Sequence, residues 1–175
     1  MVKKLGSKTP IDIAINFLSY RPRSEAEVRG RLLKSFPSPK VEETMVILHD
    51  KGLLNDTAFS QFWRDNREQH RPRSRFMLLQ ELLHKGINRD LANTALDGLD
   101  EEASALRAGR KLLRRLRTAT FNVFQIKTIN YLRRRGFSYR LAAQTSEVLW
   151  KELTDPTNCY IDRKAQHQYA KQIAE

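Results

Sequence analysis

The stretch "HRPRSRF" at 70–76 repeats "YRPRSEA" at 20–26, so the four residues Arg-Pro-Arg-Ser recur at an interval of fifty positions. A recurrence at that distance points to one structural unit used more than once. The same offset relates "LLHKGINRD" from Leu82 to "LRRRGFSYR" from Leu132, which aligns Gly86 with Gly136, Ile87 with Phe137 and Asn88 with Ser138. "LLKSFPSPK" from Leu32 fits as a first copy with one residue missing and no glycine.

Caps and breakers between these landmarks predict helices almost throughout, and strand alternation is nowhere convincing. Thr9, Pro10 and Asp12 open a helix with Ile11, Ala14, Ile15 and Leu18 on one face, and Pro22 forces it to stop near Tyr20. Ser24 with Glu27 forms a capping box ahead of Val28, Leu32 and Leu33. Ser38-Pro39 caps a third helix with Val41, Met45 and Leu48, closed by Gly52. The cycle then restarts. Asn55-Asp56 precedes Phe59, Phe62 and Trp63; Ser74 precedes inward-facing Phe76, Leu79, Leu82 and Leu83; Asn88 precedes Leu91, Ala95 and Leu99. In the third cycle Asp100-Glu101-Glu102 leads into Leu106, Leu112, Leu113 and Leu116. A second helix carries Ile126, Ile129 and Leu132, and Ser138 opens a last one through Leu141, Val148, Leu149 and Trp150. The Arg-Pro-Arg-Ser motif is thus a turn between the first and second helices of a unit, with Pro ending one and Ser capping the next. The third cycle has "TATFNVF" in its place.

The predicted fold is all-α, with tandem three-helix repeats spanning 9–54, 55–99 and 100–152 and a polar tail or helix at 153–175 anchored by Tyr160 and Ile161. Units of about fifty residues have little room for separate cores, so the three are expected to pack into an elongated, curved array, right-handed or irregular.

Composition narrows the function. The apolar runs fall short of the roughly 20 residues a membrane helix needs. The basic start "MVKKLGSKTP" leads into "IDIAINFL", where Asp12 and Asn16 interrupt any secretory apolar stretch, so a cytoplasmic location is expected. The single cysteine, Cys159, reads as incidental, because its nearest histidine in sequence, His167, sits in a polar tail. His49, His70, His84 and His167 are scattered, no set has metal-ligand spacing, and no phosphate-cradling or nucleophile motif occurs. The acidic pairs Glu25/Glu27 and Glu42/Glu43 read as first-turn residues that complement helix dipoles. Neither an enzyme, nor a cofactor, nor a metal is expected.

Charge carries the strongest signal. The net charge is +12, yet residues 103–146 alone hold 11 Lys and Arg with no Asp or Glu, whereas residues 57–102 hold 7 basic and 8 acidic side chains. Like charges without local counter-ions repel unless an anionic partner neutralises them, which points to nucleic acid or an acidic protein groove. In "RKLLRRLR" at 110–117 the leucines Leu112, Leu113 and Leu116 take one face and Arg110, Arg114 and Arg117 the other. "LRRRGF" adds Arg133, Arg134 and Arg135 at a helix end. Lys127, Arg140, Arg71, Arg73, Arg75 and Lys85 extend the candidate surface, with Arg21 and Arg23 as secondary basic contacts. Of the aromatics, Phe59, Phe62 and Trp63 fall at core spacing, while Tyr131, Phe137 and Tyr139 lie among arginines and read equally as core or as stacking platforms.

The ordered set "RPRSEAEVRGRLL" at 21–33, "KGLLNDTAFSQFW" at 51–63, "RPRSRFMLLQELLHKGI" at 71–87 and "YLRRRGFS" at 131–138 resembles the RecX family of bacterial recombination regulators. The chain departs from the family in having Ser74 where a glycine is usual, in lacking a glycine near Phe36 and in extending through 153–175. The resemblance implies three-helix repeats, no catalysis and a RecA filament as partner; nothing in the sequence suggests an obligate dimer, so a monomer is expected. RecX-like proteins are understood to lie in the groove of the RecA–single-stranded DNA filament and to suppress its ATPase, coprotease and strand-exchange activities. Contacts with single- or double-stranded DNA, and none with membrane, follow from the same expectation. A second reading takes one three-helix unit as a helix-turn-helix transcription factor, although the helix after Ser138 offers only Arg140 and Gln144 near its start as base readers.

Overall fold

The computed structural model describes residues 9–155, and the regular structure among them is nine helices in three consecutive triplets. The first is α1 (Pro10–Ser19), α2 (Glu25–Leu32) and α3 (Ser38–Asp50). The second is α4 (Asp56–His70), α5 (Arg75–His84) and α6 (Arg89–Ala95), and the third is α7 (Glu101–Leu116), α8 (Phe121–Arg133) and α9 (Tyr139–Thr154). Helix α9 takes in Leu153 and Thr154 of the expected tail, and the rest of that tail from 156, with Cys159, Tyr160, Ile161 and His167, lies outside the described residues. Among those described, no helix is long and apolar enough to cross a membrane, and no group of His, Cys, Asp or Glu is arranged to hold a metal ion.

Side chains set the helix starts as the sequence predicts. Thr9 and Asp12, and Ser24 and Glu27, form complete capping boxes, each satisfying two otherwise unpaired backbone donors. Asn55 accepts the Ala58 N–H at 2.9 Å, Asp100 the Ala103 N–H at 2.9 Å, and Ser138 the Leu141 N–H at 3.2 Å. Helix α3 differs. It begins at Ser38 with Pro37 as N-cap and no side-chain cap, so Glu42 and Glu43 fall beyond its first turn. Glu42 is instead a partner of Arg29, at 3.0 Å.

Several expected core residues face out. Ile15, Leu33, Phe62, Phe76, Ile126 and Val148 are exposed, while Leu96 is fully buried. The helices are short and each buries one narrow stripe, so a residue one position off that stripe emerges on the surface. Phe76 shows this most clearly: in α5 the inward positions are Leu78 and Leu82.

The chain divides into two compact units whose border does not follow the triplets. Among the described residues, one takes 9–67 together with Leu78–Gly98, and the other takes Glu68–Met77 and 99–155. The first unit is built around Ala14, Val28, Leu32, Val41, Met45, Leu48 and Leu54, with Ile11, Ile13, Phe17, Leu18 and Phe36 packed against them. The second has a cluster of Ala105, Ala108, Ile129, Leu132, Phe137 and Ala142, and another of Leu113, Leu116, Phe124 and Leu149 under Trp150. Fully burying a leucine or phenylalanine contributes about 1.5–3 kcal/mol, so these clusters hold each unit together.

The division follows from where the Arg-Pro-Arg-Ser turns go. In the first unit Ser24 Oγ donates to the Lys85 carbonyl at 2.6 Å. In the second, the Ser74 N–H donates to the Arg135 carbonyl at 3.1 Å. Lys85 and Arg135 are themselves fifty positions apart, so each turn docks on the end of the second helix of the following triplet. That end is a glycine-closed reversal. Gly86 and Gly136 have φ of +81° and +89°, and Ile87 and Phe137 donate back to Leu82 and Leu132. A Cβ at Gly86 would overlap Ala26, and one at Gly136 would overlap Met77 and Ser74, so the close approach as well as the backbone angle requires glycine.

Candidate functional site

The acid-free segment of the third triplet finds some of its counter-ions elsewhere in the chain. Arg107 pairs with Glu68 at 2.7 Å, and Arg110 is held by both oxygens of Glu152 at 3.0 and 2.7 Å. Lys111 donates to the His70 carbonyl. Arg135 lies over the Tyr131 ring, 4.3 Å from its centroid, and donates to the Tyr131 hydroxyl at 2.6 Å. These cations serve the fold. Arg114, Arg115, Arg117, Lys127, Arg133, Arg134 and Arg140 are exposed.

Arg133 and Arg134 line an open hollow on the second unit together with Ile129, Asn130 and Tyr139. Their placement follows from local structure. Arg133, the last residue of α8, and Arg134, its C-cap in helical conformation, follow Asn130 by three and four positions and so share its face. The reversal at Gly136 then brings Tyr139, the first residue of α9, back toward that face. Cations at the end of α8 also suit its dipole. Arg140, in the first turn of α9, gains nothing from that effect, since a cation there opposes the helix dipole.

The other sequence-predicted positions are differently occupied. Arg71 is exposed, Arg73 and Arg75 are half-buried, and the Arg75 N–H donates to Glu101. In the first unit Arg21 grips both oxygens of Glu27, at 3.3 and 2.8 Å, and Lys85 reaches the same carboxylate at 2.8 Å. Burial pushes the Glu27 carboxyl up, but hydrogen bonds and charge from Arg21 and Lys85 outweigh it and hold its pKa at about 2. Arg67 and Lys85 sit over Trp63, at 4.5 and 5.1 Å, and the Trp63 indole donates to Glu81 at 2.8 Å. Arg23 stacks on Phe17 at 3.9 Å, and its pKa is lowered by burial and then by neighbouring Arg21. Asp56 accepts the Glu25 N–H at 2.9 Å, and burial raises its pKa. This set is a half-buried network in which cations hold helices together.

The aromatics separate. Phe137 is core at 2% exposure, Tyr131 is the half-buried platform for Arg135, and Tyr139 is 62% exposed. Sequence reasoning missed Asn130 and the partners Glu68 and Glu152. Helical spacing from Arg133 and Arg134 would have found Asn130. The carboxylates reach their arginines only through tertiary packing and leave no local signal.

The comparisons agree with this architecture. Residues 11–46 match the family model described as RecX, first three-helix domain. The chain is 32% identical over 146 residues to the regulatory protein RecX of Mycobacterium avium, covering 81% of this chain and 83% of that one. It is 29% identical to that of Thermobifida fusca, over 87% and 90% of the two chains. The crystal structure of RecX from Lactobacillus salivarius superposes with a TM-score of 0.64 at 23% identity, over 80% of this chain and 94% of that one, which shows the shared fold. With the three-helix triplets and their repeated joint, these similarities establish that the chain belongs to the RecX family of regulatory proteins.

Proposed function

We propose that this protein regulates the RecA recombinase by binding in the groove of the RecA–single-stranded DNA filament, lowering its ATPase, coprotease and strand-exchange activities without catalysis of its own. Family membership supports a regulatory role, since the relatives are named regulatory proteins RecX, and RecA is the partner that the resemblance to that family implies. The observation on this chain that carries the reading is the exposed cationic stretch of the third triplet, where Arg114, Arg133, Arg134 and Arg140 face solvent in a segment without a single acidic residue. A filament of protein and nucleic acid is polyanionic, and such a stretch is attracted to it and loses that attraction as salt rises.

The test is the rate of ATP hydrolysis by RecA on single-stranded DNA as this protein is added. Progressive inhibition up to stoichiometric protein supports the proposal. Unchanged hydrolysis, combined with tight and salt-resistant binding to one duplex sequence, would replace it with the helix-turn-helix reading.

A further inference from the structure

We infer that the hollow formed by Asn130, Arg133, Arg134 and Tyr139 is a contact point for single-stranded nucleic acid, in which the two guanidinium groups take backbone phosphates and Tyr139 stacks on an unpaired base. The inference deepens the proposed function and rests on it for the presence of a single strand at this surface.

The chemistry of the lining favours this ligand. Guanidinium groups present planar, paired donors that match phosphate oxygens. Asn130 offers a carboxamide with both donor and acceptor, suited to a base edge. Ile129, 9% exposed, gives the hollow an apolar wall. Tyr139 is 62% exposed, and among the described residues no side-chain hydrogen bond, ion pair or ring contact engages Arg133, Arg134, Asn130 or Tyr139. An acidic peptide would use the arginines but has no need of an exposed aromatic face beside them. In a duplex the base faces are covered by their neighbours, so only a single strand can use the tyrosine.

The second triplet provides an internal control. Fifty positions earlier the repeat keeps what its packing requires: Leu82 and Leu132 are both fully buried, Gly86 and Gly136 both have positive φ, and Ile87 and Phe137 are both buried. At the positions of the hollow it has Gln80, Leu83, His84 and Arg89 in place of Asn130, Arg133, Arg134 and Tyr139. The fold of the repeat therefore does not demand two arginines and a tyrosine there.

The experiment is fluorescence anisotropy of a labelled oligothymidylate and of a duplex of equal length, titrated with the full chain across a range of salt. Tyr139→Ala is expected to weaken single-strand binding about tenfold and leave duplex binding within about twofold, with Tyr139→Phe restoring the parent affinity. Removing two phosphate contacts by Arg133→Ala with Arg134→Ala should reduce the salt slope on single strands by about 1.4. If Tyr139→Ala binds the single strand as the parent does, the inference is overturned. Should all variants bind the oligonucleotide normally yet fail to inhibit RecA, the hollow meets an acidic protein segment, and the RecA reading survives without this inference. Variants that lose the oligonucleotide as expected, in a protein whose parent leaves RecA hydrolysis untouched, would keep the inference and remove the proposed function.

Discussion

At one joint Ser24 sits on the Lys85 carbonyl, and at the other Ser74 sits on the Arg135 carbonyl, yet the side chains around these two bonds differ in kind. Around the first, Glu27 pairs with both Arg21 and Lys85. The position fifty residues after Glu27 is Met77, and there Arg135 rests on a tyrosine ring instead of a carboxylate. The two joints share a buried serine and a positive-φ glycine, although Ser24 bonds through its hydroxyl and Ser74 through its backbone N–H. The charges are a separate layer, paired with a carboxylate at the first joint and stacked on an aromatic ring at the second. A high count of arginine is therefore no guide to function until each guanidinium has been traced to its partner.

Because both joints depend on a glycine pressed against its neighbour, Gly86→Ala and Gly136→Ala should give the largest losses. Left-handed backbone and steric overlap together amount to roughly 2–4 kcal/mol at each position. Urea unfolding followed by circular dichroism measures this, and a parent-like midpoint at either site would mean that the two joints are not equivalent. A smaller loss is expected from Ser24→Ala. It removes the cap on the Glu27 N–H and the bond to the Lys85 carbonyl, worth about 1–2 kcal/mol.

Acid should separate the two joints. The Glu27 pKa of about 2 in the folded state lies below its ordinary 4.5, so the carboxylate stabilises the first joint fully above about pH 4.5. That contribution is lost as pH falls toward 2. Asp56 works in the opposite sense, since its raised pKa makes ionisation unfavourable to the fold as pH rises. Glu27→Gln is expected to flatten the acid-side decline in urea midpoint, a contribution that Met77, its counterpart fifty positions on, has no carboxylate to make. An unchanged acid-side decline in Glu27→Gln would assign it to other carboxylates. The smallest effect on stability belongs to Arg133→Ala with Arg134→Ala, within about 0.5 kcal/mol, because both side chains are exposed. A larger loss would make them part of the joint.

Much of this architecture is legible in the sequence because it is written locally. Ser24 and Glu27, Ser138, Asp100 and the glycines at 86 and 136 act within a few residues of themselves, so caps and repeats can be read directly. The one-sided burial of short helices is harder. Ile15, Phe76 and Ile126 sit on the edge of their apolar stripes, and packing alone decides which way they face. The candidate site is legible as a charge imbalance and no further. Arg110, Lys85 and Arg21 look like Arg133 and Arg134 in sequence, and only the tertiary approach of Glu152 and Glu27 distinguishes them.

The central claim is that the exposed arginines at the end of α8 serve a nucleoprotein partner while the arginines of the joints serve the fold. The measurement that tests it most directly is RecA ATP hydrolysis on single-stranded DNA, titrated in parallel with the parent protein and with the Arg133→Ala, Arg134→Ala variant. The parent is expected to inhibit, and half-maximal inhibition by the variant to move to at least about tenfold higher concentration, with unfolding midpoints unchanged. Equal inhibition by two equally stable proteins would contradict the claim.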